Sequence, residues 1–356
     1  MKALILAAGK GTRLRPLTNT VPKHLLPAGD KPILFHVLDY IAKAGIRDIG
    51  IVVSHDSGPP IREAVGDGRR WQATITYVYQ VEPKGLAHAV KMAQDFLGDS
   101  PFLMLLGDNL LQEGVTGFLD DFVASKSDAS IVLKEVDDAR AFGVAEVDAS
   151  GRVARTVEKP RNPQSNLAVI GVYLFTSHIH RAIAEIKPSW RGELEITDAI
   201  QRLLEKGKDI RSHLLQGWWL DIGSNEGLIK ANCVVLDALP NAGVRGTIDS
   251  NSRIEGRVQI GEGTELRASR VEGPTLIGAD CRITNSVIKP FTNIMAGTTV
   301  EDSCVGRSLI LENCRISGIM SLADSIMGRN SALVGHKKSH SGLTLVIGDD
   351  CKVEVK

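Results

Sequence analysis

The sequence predicts two architectures in one chain: an α/β domain on a parallel sheet over residues 1–240, and a parallel β-helix over residues 241–356. Three observations lead there. Up to about residue 239, short apolar runs alternate with helical patterns, the signature of a parallel sheet covered on both faces. After Pro240 the helical period disappears and apolar residues recur every seventeen positions. A glycine-rich turn and two aspartates follow strand-like runs, where open sheets of this class bind ligands.

In chain order, KALILA, DIGIVVS, TITYVYQ and PFLMLLGD read as strands. Between the first two, Ile33, Leu34, Val37, Leu38 and Ile41 recur at helical spacing behind Pro32, and Gly45 closes the segment as a C-cap. Leu86, Val90, Ala93 and Leu97 repeat the helical pattern. In the C-terminal part, Ile254, Val271, Ile288 and Val305 are each seventeen apart; so are Ile260, Ile277, Ile294 and Leu311, and also Leu266, Ile283 and Val300. Three such registers imply a three-sided coil with steps of six, six and five residues over about 245–325. Gly261 and Gly278 fall where tight corners are expected. "LVIGDDCKVEV" reads as a final coil after the irregular "GHKKSHSG".

Composition narrows the function classes. The 356 residues carry 42 Lys+Arg and 42 Asp+Glu, a formal net charge of zero. Such balance gives no support for nucleic acid or an anionic membrane as the main partner. The five cysteines, Cys233, Cys281, Cys304, Cys314 and Cys351, lack CxxC spacing and suit free thiols in a reducing compartment. No run of eighteen apolar residues and no signal-peptide pattern occurs, so a soluble cytoplasmic protein is expected.

The chemistry-bearing stretches begin with "LAAGKGTRLRPLTNTVPKHLLP". It fits neither GxxxxGK[ST] nor GxGxxG, since Leu14 stands where the third glycine would be. Gly9 and Gly11 nevertheless let the backbone form an anion nest at a strand end. Arg13 and Lys23 then add a guanidinium fork and a point charge, a receptor suited to a triphosphate. Asp108 in "LLGDN" and Asp221 in "WWLDIGS" each follow a strand-like run. Either alone reads equally as a turn aspartate; together they could supply the one or two carboxylates that Mg²⁺ takes. Glu158 and Lys159 stand where a strand stops against Pro160, a place where a charged pair is often only solvated.

"LAAGKGTRLRPLT", "PKHLLP", "LGDN", "FGVAEVD", "VEKP", "RGELEITDAI" and "WWLDIGS" occur in this order along the chain. They resemble the sugar-phosphate nucleotidyltransferases, and within that family the long thymidylyl-transferring members. The seventeen-residue coils resemble the hexapeptide left-handed β-helix, and it is this likeness that supplies the handedness. The resemblance implies an α/β Rossmann-like nucleotidyltransferase domain followed by a left-handed parallel β-helix. It implies that Gly9, Gly11 and Thr12 hold nucleotide phosphates with Arg13, that Gln80 and Gly85 read the base, and that Lys23 and Lys159 bind the α-phosphate and the sugar 1-phosphate with Arg191 assisting. By the same likeness Gly143, Glu158 and Val169 contact hexose hydroxyls and Asp108 and Asp221 carry Mg²⁺. Short relatives have Tyr where this chain has Phe142, a departure that bears on the sugar.

The implied reaction joins dTTP and glucose 1-phosphate, with UTP- or GTP-dependent transfer as the alternative, since related enzymes share the opening loop. Two rivals stand beside it. A bifunctional acyltransferase would need a histidine on the coils, and the C-terminal histidines, His336 and His340, lie in the basic "GHKKSHS" stretch. A non-catalytic sugar-nucleotide-binding subunit would be expected to lose basic or metal residues, whereas Arg13, Lys23, Asp108, Lys159 and Asp221 are all present. The β-helix is therefore expected to join subunits into a homo-oligomer.

Overall fold

The computed structural model describes residues 1–240, 243–335 and 342–355; His336 and His340 lie outside them. The chain forms two compact units, Met1–Lys10 with Ile33–Asp221, and Gly11–Pro32 with Ile222–Lys356. The change of sequence period at residue 240 and the boundary of packing are thus different things. The Gly11–Pro32 segment and the first helix after Asp221 pack with the coils.

In the first unit, β1 (Lys2–Leu6), β2 (Asp48–Val53), β3 (Thr74–Tyr79) and β4 (Phe102–Leu106) are the four expected strands. They pair in parallel, β1 lying between β2 and β4, with β3 outside β2. Further strands follow: β5 (Asn109–Leu111), β6 (Ala129–Glu135), β7 (Gly143–Val147), β8 (Val153–Glu158), β9 (Leu167–Phe175), β10 (Ile210–Leu214) and β11 (Trp219–Asp221). The nine-stranded sheet runs β8-β7-β9-β4-β1-β2-β3, with β6 also on β9 and β10 on β6. It is mixed, because β9 runs antiparallel to β4. Leu4, Ile5, Phe102, Met104 and Phe175 are fully buried, as strands covered on both faces must be.

The helix α1 (Ile33–Lys43) buries Ile33, Leu34, Val37, Leu38 and Ile41, and Gly45 follows it at φ 81°. The pattern Leu86 to Leu97, predicted as one helix, is interrupted. A helix α2 (Leu86–Met92) ends at Ala93, whose ψ of 6° departs from helical values, and Gln94–Leu97 adds a single turn. Ala93 keeps Val90 and Leu97 buried across the break.

The second unit stacks short parallel strands into three ladders, the arrangement of a left-handed parallel β-helix. Ile254, Val271, Ile288 and Val305 are in register, as are Leu266, Ile283 and Val300. The third register holds through Ile260, Ile277 and Ile294, but its next member is Ile310 rather than Leu311. One residue is lost between Val305 and Ile310, where Arg307 makes the corner at φ 42°. Leu311 is buried one place further on. The final coil is longer, with Val346–Ile347 and Lys352–Val355 pairing the preceding turns as "LVIGDDCKVEV" suggested.

Corners follow a rule that the glycines disclose only in part. Gly263, Asp280, Gly297, Asn313, Asn330 and Asp350 occupy one corner with φ between 55° and 73°, the region Gly, Asn and Asp enter at least cost. Gly261 and Gly278 have no such φ; they are small because a Cβ would lie 2.5 Å and 2.6 Å from the next coil's backbone. The turned-in backbone N–H groups are met by side chains. Ser269, Ser286, Ser303 and Ile319 donate their N–H to the hydroxyls of Ser252, Ser269, Ser286 and Ser303 at 3.0–3.1 Å. Cys281 and Cys314 stand at buried places of a neighbouring ladder, their N–H groups on Thr264 and Thr298.

The helix Asn225–Ala238, capped by Ser224 Oγ on Gly227 N at 3.1 Å, packs within this unit. Its Asn232 side-chain Oδ1 accepts from Gly29 N at 3.2 Å and from Asn293 Nδ2 at 2.9 Å, while Asn293 Nδ2 also donates to Gly29 O at 2.7 Å. Asn293 is fully buried. These bonds tie the turn at Gly29 to both the helix and the coils.

Candidate active site

The chemistry-bearing residues fall into two groups, one in each unit. In the second unit Gly11, at φ 63°, turns the chain into the short 3-10 helix Thr12–Leu14, which Leu14 anchors in the core. Thr18 Oγ1 donates to Gly11 O at 2.8 Å. A Cβ on Gly11 would lie 3.1 Å from Lys23 Cβ, so the expected nest glycine and the lysine pack side by side. Thr12 and Arg13 are exposed. Gly223 makes room for Arg13: a Cβ there would fall 2.7 Å from Nη2. Gly223 belongs to "WWLDIGS", and its role as the floor under a guanidinium had no signal beyond its place in that motif.

The first unit carries the rest. Gly9 follows β1 and is exposed. Gln80, buried at the end of β3, donates from Nε2 to Gly85 O at 3.3 Å and contacts His88 Nδ1 at 2.9 Å. These bonds fix the plane of its amide. Burial, followed by nearby Lys84, holds the His88 imidazole below its usual range. Gly85 has φ 98°, and a Cβ there would collide with Leu194 O at 2.4 Å.

Asp108 lies in the two-residue turn from β4 into β5 and is buried; β11 pairs antiparallel with β5, setting Asp221 opposite Asn109. The ladder therefore brings the two aspartates within one residue of each other, although 113 positions separate them in sequence. Among the described residues no group of three or more His, Cys, Asp or Glu could hold a metal. Two aspartates this close along the ladder could offer the one or two carboxylates taken by an ion that keeps most of its waters. Asn109 itself accepts from Trp219 Nε1 at 2.9 Å, and its Nδ2 has no hydrogen-bond partner among the described residues.

Gly143, Glu158 and Val169 converge. A Cβ on Gly143 would meet Glu158 Oε2 at 3.2 Å, Val169 Cβ at 3.8 Å and Thr197 Cγ2 at 2.6 Å. β7 pairs with β8 so that Gly143 faces Glu158. Glu158 Oε2 accepts from Thr197 Oγ1 at 3.1 Å, and Oε1 lies 3.5 Å from Arg191 Nη1 and 3.9 Å from Lys159 Nζ. Burial, then the charge of Glu195, raises the Glu158 carboxyl above the usual range, against the pull of Thr197, Lys159 and Arg191. Lys159 is held at φ 41° with its N–H on Phe142 O at 3.0 Å. A non-glycine residue in the left-handed region is uncommon; in the first unit Gln72 and Lys126 are the others with such a φ among the described residues. Phe142 meets Trp219 edge-on at 5.4 Å, so this ring packs against the aspartate-bearing strand where a Tyr would add a hydroxyl.

Thr197, Glu195 and Asn109 lie within the same sequence motifs, which give no hint of what they bond. Only their contacts with Glu158, Arg191 and Trp219 bring them forward.

The nucleotidyl transferase family model matches residues 2–238. A glucose-1-phosphate thymidylyltransferase of Streptomyces griseus is 45 % identical over 355 residues, covering 100 % of this chain and 99 % of the relative. One from Streptomyces antibioticus is 43 % identical over 361 residues, covering 100 % of both. The structure of a UDP-glucose pyrophosphorylase complexed with UDP-glucose superposes with a TM-score of 0.60 at 29 % identity, over 67 % of this chain and 99 % of that one. With both the family model and full-length relatives in agreement, the chain is a member of the nucleotidyl transferase family.

Proposed function

We propose that the protein transfers a thymidylyl group from dTTP to glucose 1-phosphate, giving dTDP-glucose and pyrophosphate. The observation that carries the reading is Glu158, an acceptor beside the Gly143 gap with Lys159 and Arg191 on its other oxygen. A carboxylate accepts hydroxyl hydrogens and the two cations accept a phosphate, so the ligand that suits the pocket carries both. Full-length similarity to the two Streptomyces enzymes supports thymidine and glucose as the particular pair.

The chain's own residues would work mainly by positioning and charge. Lys159 and Arg191 orient the sugar 1-phosphate, whose oxygen is already an anionic nucleophile and needs no general base. Attack at the α-phosphorus proceeds in line, and pyrophosphate leaves. Gly9, Gly11, Thr12 and Arg13 would hold the triphosphate, Lys23 its α-phosphate, and Gln80 with Gly85 the base. Bringing two polyanions together costs several kcal/mol at an effective dielectric of roughly 20, which these cations offset. Asp108 and Asp221 would hold Mg²⁺, which supplies further charge neutralisation on the phosphates.

The same reading takes the protein as cytoplasmic and as a homo-oligomer joined through its β-helix. No helix among the described residues is long and apolar enough to cross a membrane. The test of the activity is pyrophosphate release from each nucleoside triphosphate with each hexose 1-phosphate. The dTTP and glucose 1-phosphate pair should lead, and a tenfold higher kcat/KM for UTP or GTP would overturn the base assignment while leaving the reaction class.

A further inference from the structure

We propose that Trp190 is a substrate-contacting residue at the rim of this site, its indole covering the hexose ring of the bound sugar 1-phosphate. The inference rests on the function proposed above. Trp190 is 84 % exposed, the most exposed of the large apolar side chains in the described structure. A lone exposed apolar residue is ordinary; the loop that carries this one is not.

The loop is closed on itself. Ser189 N donates to Glu193 O at 2.8 Å and Gly192 N to Ser189 O at 2.9 Å. Ser189 Oγ donates to the buried Glu195 at 2.8 Å and accepts from Arg191 N at 3.1 Å. It is also tied to both halves of the candidate pocket. Leu194 N donates to Lys84 O at 2.8 Å and Leu194 O accepts from Ala87 N at 3.1 Å, on the Gln80–Gly85 side. Arg191 reaches Glu158 at 3.5 Å and Glu195 at 3.3 Å on the sugar side.

Both chain neighbours of Trp190 thus turn their side chains inward, and the indole between them is left at the edge with no core to fill. A tied loop does not need an exposed indole for its stability, since burial of that surface contributes nothing in the free protein. The residue next in sequence, Arg191, lies 3.5 Å from Glu158. This favours the sugar over the base as the group the indole meets. A hexose with equatorial hydroxyls offers flat C–H faces, and a flat aromatic surface of low conformational entropy suits them.

The experiment compares the wild type with Trp190→Ala and Trp190→Phe, using the nucleotide and sugar pair that the wild type turns over best. Trp190→Ala should raise KM for the sugar 1-phosphate at least about fivefold, with KM for the nucleotide within about twofold, and Trp190→Phe should recover most of the loss. Indole emission should change when the matching sugar nucleotide is added, but not with the nucleoside triphosphate alone, and Trp190→Phe should lack the change. An unchanged sugar KM overturns the proposal. So does a rise confined to the nucleotide KM, which makes Trp190 a base platform, or a lower assembly state by light scattering with sugar KM intact, which makes it a subunit contact. Failure of dTTP with glucose 1-phosphate in the wild type would sink the functional reading instead, and the emission comparison would still decide the role of Trp190.

Discussion

The coils of the second unit and the sheet end of the first treat their polar groups in opposite ways. Along one corner of the coils the N–H groups of Ser269, Ser286, Ser303 and Ile319 all find the same kind of partner, the hydroxyls of Ser252, Ser269, Ser286 and Ser303 forming one ladder. At the sheet end the rules are broken together: Glu158 is 17 % exposed beside a second buried carboxylate, Lys159 has φ 41°, and Asn109 keeps an amide unmatched. The regular region spends its polar chemistry on stability. The irregular one holds groups in states that cost stability.

The largest expected effect tests how separate the regions are. Truncation after Pro240 removes Asn293, which bonds Gly29 O, Asp349, which accepts from Thr20 Oγ1 at 2.6 Å, and Gly348, which lies against Pro16. The segment carrying Gly11, Thr12, Arg13 and Lys23 would lose much of its support. We expect pyrophosphate release to fall by about a hundredfold or more, although every assigned residue lies at or before Asp221. Near-wild-type turnover by a folded truncated chain would show that the segment holds its shape without the coils.

Next come Asp108→Asn and Asp221→Asn, which remove charge and little volume. Each should lower kcat by about a hundredfold or more and weaken Mn²⁺ binding followed by electron paramagnetic resonance, with the circular dichroism spectrum unchanged. Mn²⁺ binding at wild-type strength in either variant removes that residue from the metal site.

Two smaller changes should move stability in opposite directions. Ser286→Ala leaves the buried Ser303 N–H without its acceptor, a cost of about 1–3 kcal/mol. The Tm should drop by roughly 2–6 °C while turnover at 25 °C is kept. Glu158→Gln should do the reverse. Its carboxyl is raised in the folded state, so the folded protein binds the extra proton and stability falls as pH rises from the unfolded value through the folded one. Above that window the variant without the ionising group should melt about 1–3 °C higher, with weaker sugar 1-phosphate binding. A lower Tm at pH 7 would show that the pairs with Arg191 and Lys159 outweigh the cost of burying the charge.

By itself the sequence determined the two periods, because each is a direct consequence of local geometry. Strands buried on both faces read as KALILA or PFLMLL, and a coil that stacks on copies of itself must repeat its apolar residue. The slip from Leu311 to Ile310 and the break at Ala93 escaped, since a corner one residue shorter or a helix with one non-helical ψ leaves the apolar count unchanged. The site was legible as motifs but not as a place. Asp108 and Asp221 come near each other only through the pairing of Asn109–Leu111 with Trp219–Asp221; Gly143, Glu158 and Val169 meet only through three strands. Thr197 and Gly223 matter for the space and the hydrogen bond they give to residues tens or hundreds of positions away. That Gly11–Pro32 packs with the coils rather than with the strand before it was likewise decided by tertiary contacts, among them the buried amides of Asn232 and Asn293. A local pattern records what a residue's neighbours in sequence require of it; the bonds that close across the fold leave no such periodic trace.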